Sequence, residues 1–119
     1  MKINNSIAQM RKGVLEYCIL SLLSKEDYYA SDIIKKLKEA QLIVVEGTLY
    51  PLLTRQKNAG LLSYRWEEST QGPPRKYYRI SEKGVSYLNE LNSAWDNLIL
   101  SVEKIKNDDG KLKLKSNNK

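Results

Sequence analysis

Residues 47–80 constrain the fold more than any other part of the chain. They open with Gly47-Thr-Leu-Tyr-Pro-Leu-Leu-Thr-Arg-Gln-Lys-Asn-Ala-Gly-Leu-Leu62. At roughly 100° per residue, Leu49, Leu52, Leu53, Gln56 and Gly60 share one face. Pro51, Thr54 and Asn58 lie opposite, with Tyr50 and Arg55 on the two flanks. The pattern predicts an amphipathic helix that Gly60 stops. Two residues resist it. Gln56 falls inside the apolar stripe, and Pro51 lies beyond the first turn, where it removes a backbone hydrogen bond and predicts local distortion. Two strands follow, over 61–67 and 76–80, rich in aromatics that include Tyr64, Trp66, Tyr77 and Tyr78. Ser-Thr-Gln-Gly-Pro-Pro between them is turn chemistry, and Pro73 and Pro74 are expected to hold Arg75 out in solvent.

The flanking segments read as helices. Over 6–24, Ile7, Met10, Val14, Leu15, Cys18 and Leu22 recur at helical spacing. From Ile19 to Leu23 the apolar residues extend nearly all round, so this helix needs cover on both sides, the second from a partner subunit. Lys25-Glu-Asp is a polar connector. A second helix over 30–41 carries Ile33, Ile34, Leu37 and Gln41 on one stripe, and 42–45 is a short β-prone link. Ser81 is a good N-cap for a last helix reaching about Asn107. Its Leu88, Leu91, Trp95, Leu98, Val102 and Ile105 are spaced 3-4-3-4-3, a heptad seam of about two and a half repeats. That is short for a free coiled coil, so the seam is expected to pack on a partner's first helix. Residues 108–119 read as a flexible, frayed tail.

Composition removes several classes of function. There is no histidine and one cysteine, which excludes the usual Cys/His zinc sites and any disulfide within one chain. Cys18 lies in an apolar run and reads as an inert buried thiol. No glycine-rich phosphate loop and no paired-carboxylate motif is present, so neither an enzyme nor a cofactor or metal is expected. The apolar runs are too short to span a membrane and carry no cleavage pattern, which places the protein in the cytoplasm with no membrane partner. A net charge of +6 and a pI near 9.4 favour an acidic polymer as partner. A chain of 119 residues buries only a modest core, so a second copy would help it.

These readings converge on an α+β, mostly α fold: a winged helix-turn-helix over 1–80, then a long C-terminal dimerisation helix over 81–107. In that arrangement one helix enters the major groove of double-stranded DNA while the strand loop reaches along the backbone. Thr48, Tyr50, Pro51, Thr54 and Arg55 form the outward and N-terminal part of the reading helix. Arg55 is the expected base reader, able to grip guanine with two hydrogen bonds, while Thr48 and Tyr50 fix phosphates. Arg75 and Lys76 at the wing tip would touch phosphate or the minor groove. Lys35 and Lys36 on the second helix would neutralise phosphate. The plain alternative for each is a solvated helix face or an ordinary exposed turn, and Trp66 reads as packing only.

Two stretches carry a family resemblance: Gly47-Thr-Leu-Tyr-Pro-Leu-Leu-Thr-Arg55 and Pro74-Arg-Lys-Tyr-Tyr-Arg-Ile-Ser-Glu-Lys-Gly84. In this order and spacing the chain resembles the PadR family of bacterial transcriptional regulators over roughly 10–106, in particular the small subgroup that includes LmrR-like multidrug sensors. The resemblance implies a homodimeric repressor on a pseudo-palindromic operator, the last helix of each subunit packed on the first helix of the other. Gln56-Lys57 replaces the family's frequent Leu-Glu, and Ala30 stands where a glycine is common. Trp95 would meet its counterpart across the dimer, and paired indoles stack well on a planar aromatic effector. A tryptophan in the corresponding helix of LmrR-like members does this, so the resemblance implies it here. The ordinary alternative is a core tryptophan on a heptad seam. The leading reading is thus a sequence-specific repressor released by a small aromatic ligand at the dimer interface. The competing one is a winged-helix protein-interaction module without operator binding.

Overall fold

A computed structural model describes residues 2–108, so the tail expected beyond Asp108 lies outside the described residues. The first helix is two helices, α1 (Ile3–Lys12) and α2 (Leu15–Leu23), not the single helix predicted over 6–24. The break falls at Gly13-Val14, where the Val14 N–H turns back to the Arg11 carbonyl at 3.0 Å. Glycine inside a helix costs about 0.5–1 kcal/mol relative to alanine. No side chain of α1 is buried, so nothing offsets that cost.

A two-residue strand that sequence reasoning missed, β1 (Tyr28–Tyr29), leads into α3 (Ala30–Glu39). The Asp32 carboxylate accepts from the Tyr29 N–H at 3.2 Å and fixes the entry to α3. Gln41 is not on the α3 stripe. It adopts φ 67°, and the N–H groups of Gln41 and Leu42 return to the Lys38 and Leu37 carbonyls at 2.9 and 2.8 Å. This pair of bonds ends the helix in a left-handed residue. The link over 42–45 is irregular rather than β, with Val44 buried between exposed Ile43 and Val45.

α4 (Glu46–Asn58) runs through Pro51 as one helix, so the expected distortion does not interrupt it. Gly47 and Pro51 both lie on the exposed side, where water reaches the carbonyl left without its N–H partner. Gly60, at φ 80°, repeats the left-handed ending, with Gly60 and Leu61 N–H groups bonded to the Lys57 and Gln56 carbonyls. The misfit Gln56 is buried, at 2% exposure. Its amide donates to the Glu16 carbonyl on α2 at 3.1 Å, which explains a polar side chain in that stripe.

β2 (Leu62–Glu67) and β3 (Arg75–Ile80) pair antiparallel, Leu62 opposite Ile80 and Glu67 opposite Arg75. β1 adds to the other side of β3, Tyr28 opposite Tyr78, giving the order β1-β3-β2. Ser81 caps α5 (Glu82–Lys106), accepting from the Gly84 N–H at 3.0 Å. The same hydroxyl donates to the Gly60 carbonyl at 2.6 Å, and the Lys83 ammonium donates to the Ala59 carbonyl at 2.9 Å. The end of α4 and the start of α5 are therefore bolted together.

The core is built from Ile19, Leu20 and Leu23 of α2, Ile33 and Leu37 of α3, and Leu49 and Leu53 of α4. Tyr78 and Leu62 cover it from the sheet, and Leu88 from the first turns of α5. Each large apolar side chain so buried contributes about 1.5–3 kcal/mol. Leu88 was expected on a partner-facing seam; at 6% exposure it is used by its own subunit. The chain divides into two compact units, the first ending at Asn89. In the second, described from Glu90 to Asp108, the helix exposes Leu98, Ile99, Leu100, Val102 and Ile105.

Candidate nucleic-acid interface

The reading helix presents what its periodicity requires. Leu49, Leu53 and Gln56 face the core, leaving Thr48, Tyr50, Pro51, Thr54 and Arg55 exposed. Tyr50 turns toward the sheet and borders a groove of about 400 Å³ with Ser31, Glu46, Trp66, Arg75 and Lys76. The groove thus collects the N-terminal ends of α3 and α4 and the outer ends of β2 and β3. Three of the sequence-predicted site residues, Tyr50, Arg75 and Lys76, meet there.

Arg75 and Lys76 are not at the wing tip. They open β3, opposite Glu67 and Trp66, while the loop proper is 68–74. The physical reason is aromatic. The Arg75 guanidinium sits 3.9 Å from the Tyr29 ring centroid, and the Lys76 ammonium lies 4.5 Å from Tyr64 and 5.5 Å from Trp66. Cations over ring faces gain about 0.5–1 kcal/mol at exposed sites, enough to draw these side chains along the sheet. Tyr78 lies buried under the groove; desolvation pushes its phenol up, with Tyr50 and Tyr64 adding to the effect, so it stays neutral.

Arg55 is placed elsewhere. Its guanidinium grips Glu16 on α2 with two hydrogen bonds, one from Nε to Oε2 at 2.8 Å and one from its second terminal nitrogen to Oε1. The hydrogen bond and the charge of Glu16 together hold the Arg55 guanidinium above its ordinary pKa. The expected base reader is therefore directed at the body of its own subunit, away from the groove. Thr48 borders a different, mostly apolar hollow with Arg11, Lys12 and Ile43. Lys35 and Lys36 share a third depression with Glu26, Asp27, Asp32 and Glu39, four carboxylates that weaken their field.

Among the groove residues missed by sequence reasoning are Trp66 and Glu46. Trp66, read as packing, is 60% exposed and stands opposite Lys76. Its position two residues beyond Tyr64 on the same strand face was the available signal. Glu46 is the first helical residue and borders the groove. Trp95, in the second unit, is half-exposed on α5. Among the described residues no cluster could hold a metal ion, and no helix is long and apolar enough to cross a membrane. Cys18, expected to be buried, is only partly so; that burial still pushes its thiol up.

A helix-turn-helix whose second helix is exposed beside a three-stranded wing defines a winged helix-turn-helix DNA-binding protein. More narrowly, the chain belongs to the PadR-like transcriptional regulator family, which it matches over residues 19–90. It is similar to a solved PadR-like transcription factor from Bacteroides fragilis, with 67% identity over 85% of this chain and 98% of that one, at a TM-score of 0.73. A PadR family regulator from Eggerthella lenta shares 31% identity over 90% and 94% of the two chains, at a TM-score of 0.84. A PadR-like regulator from Bacillus cereus shares 38% identity over 87% and 99%, at a TM-score of 0.74. The family consists of transcriptional regulators, not enzymes.

Proposed function

We propose that the protein is a dimeric, sequence-specific repressor that binds a pseudo-palindromic operator and is released by a planar aromatic ligand. The observation that carries the dimer is the seam on α5, where Leu98 is 56% and Ile105 76% exposed at heptad spacing. An apolar stripe of that kind gains by covering itself with another helix, and a second copy supplies one. Two subunits then offer two copies of the groove, each able to meet one operator half-site. Thr48, Tyr50, Pro51 and Thr54 face the major groove in this reading, Arg75, Lys76 and Trp66 follow the adjoining backbone, and Lys35 and Lys36 add positive charge. Arg55 reaches DNA only by leaving Glu16.

A ligand stacked on Trp95 near the dimer seam releases DNA by favouring a subunit arrangement that the operator does not. Fluorescence anisotropy on the protein's own promoter tests the DNA step. The expected result is tight, sequence-dependent binding whose log K falls with log salt by about 0.9 per phosphate neutralised. Equal binding to scrambled duplex would refute it. For the ligand, quenching of Trp95 in a Trp66→Phe background by planar aromatics should vanish in Trp95→Ala and be accompanied by loss of DNA.

A further inference from the structure

Glu46 is a carboxylate on a face otherwise suited to a polyanion. It is the first residue of α4 and borders the same groove as Tyr50, Arg75 and Lys76. It is the groove's one acidic lining residue. The two cations beside it are engaged with Tyr29 and Tyr64, and among the described residues the Glu46 carboxylate takes part in no ion pair or hydrogen bond. A free acid near a helix N-terminus is favoured by the helix dipole, which accounts for its tolerance but not for its place among DNA-facing groups. Next to phosphate it would repel.

Base edges offer the other partner. In helix-turn-helix docking, the N-terminal residues of the second helix are the ones that meet base edges in the major groove. An ionised carboxylate only accepts hydrogen bonds. The major groove presents two amino donors, cytosine N4 and adenine N6. Adenine sets its N7 acceptor beside that donor, so the second carboxylate oxygen meets a lone pair; cytosine has no such neighbour on its own ring. We propose that Glu46 is a specificity-determining residue that accepts a hydrogen bond from a cytosine amino group, once in each half-site, and disfavours DNA lacking it. This inference rests on the DNA-binding reading above.

The test is selection from a randomised duplex pool, run in parallel with the parent protein, Glu46→Gln and Glu46→Ala. The parent should enrich a two-fold motif with one dominant cytosine per half-site. Glu46→Gln gains a donor and suits adenine, so that position alone should shift from cytosine to adenine. Glu46→Ala should lose the preference there, by about tenfold to a hundredfold in relative affinity, while binding unrelated DNA more tightly. Thermal melts of the variants should show a stability loss no larger than the helix-dipole contribution of an exposed acid. Motifs identical to the parent's at every position in both variants would overturn the role of Glu46 and leave the regulator reading standing. A parent that enriches no motif would overturn both.

Discussion

Replacing Gly84 by alanine sets two opposed effects of known size against each other. An alanine inside a helix is favoured over glycine by about 1 kcal/mol, so secondary structure alone predicts stabilisation. The packing predicts the reverse. A Cβ on Gly84 would lie 2.0 Å from the Leu61 carbonyl oxygen and 2.6 Å from Ile80 Cγ1. Carbon and oxygen approach comfortably to about 3.3 Å, so α5 must retreat by more than 1 Å. Overpacking of this kind costs about 1–3 kcal/mol. The retreat also strains the Ser81 N–H bond to Leu61, the Ser81 cap on Gly84 and the Ser81 hydroxyl bond to Gly60. Losing two of these adds about 2 kcal/mol. The net expectation is a loss of about 3 kcal/mol, or a fall in Tm of roughly 12–24 °C for a domain near 100 residues. Urea and thermal unfolding followed by circular dichroism, at one fixed protein concentration, measure it. Gly72→Ala, with nothing within 4 Å of the new methyl group, is the control and should stay within about 0.5 kcal/mol. Gly84→Ala melting at or above the parent would refute the argument, because helix propensity would then have outweighed contact with a backbone carbonyl.

Other perturbations separate the roles assigned above. Glu16→Gln should free Arg55, tighten binding to unrelated DNA and steepen the salt dependence by about one phosphate; an unchanged slope would mean that Arg55 does not reach DNA. Lys76→Ala should weaken all sequences equally and flatten the same slope by about 0.9, whereas a loss confined to one sequence would make it a base reader. Leu98→Glu should give a folded monomer in sedimentation equilibrium, while Leu88→Ala should cost about 2–5 kcal/mol of subunit stability, since Leu88 is buried by its own chain. Cys18, its thiol pushed up by burial, holds less thiolate at any given pH than a free thiol; iodoacetamide at pH 8 should alkylate it slowly until urea is added.

Much of the fold was legible because its signals are local. Leu49 and Leu53 sit where the helical period put them, Gly60 stops α4, and both long strands fall within one residue of their predicted limits. Ser81 caps the last helix as its side chain and position required. What was hidden depends on partners distant in sequence. β1 is two residues long, too short for any period, and exists because β3 has a free edge for Tyr28 and Tyr29. Arg55 and Glu16 are 39 positions apart, so nothing in the reading helix revealed that its arginine was already held. Arg75 was drawn off the loop beside Tyr29, a ring on another strand. Leu88 fitted the heptad spacing of the seam, and spacing alone does not say which neighbour covers a leucine.

The junction at Ala59 and Gly60 gives the molecule a lever. Ser81 and Lys83 clamp one end of α4 to α5, while the groove proposed to meet DNA lies at the opposite end, beside Glu46 and Tyr50. Thirteen helical residues separate pivot from tip, an arm of about 20 Å at 1.5 Å per residue. A tilt of about 5° passed through the clamp swings the tip by about 1.7 Å, more than half the length of a hydrogen bond. On the DNA-binding reading such a tilt takes the far end out of register with a base pair, and because Leu49 near that end is fully buried, the core must shift with it.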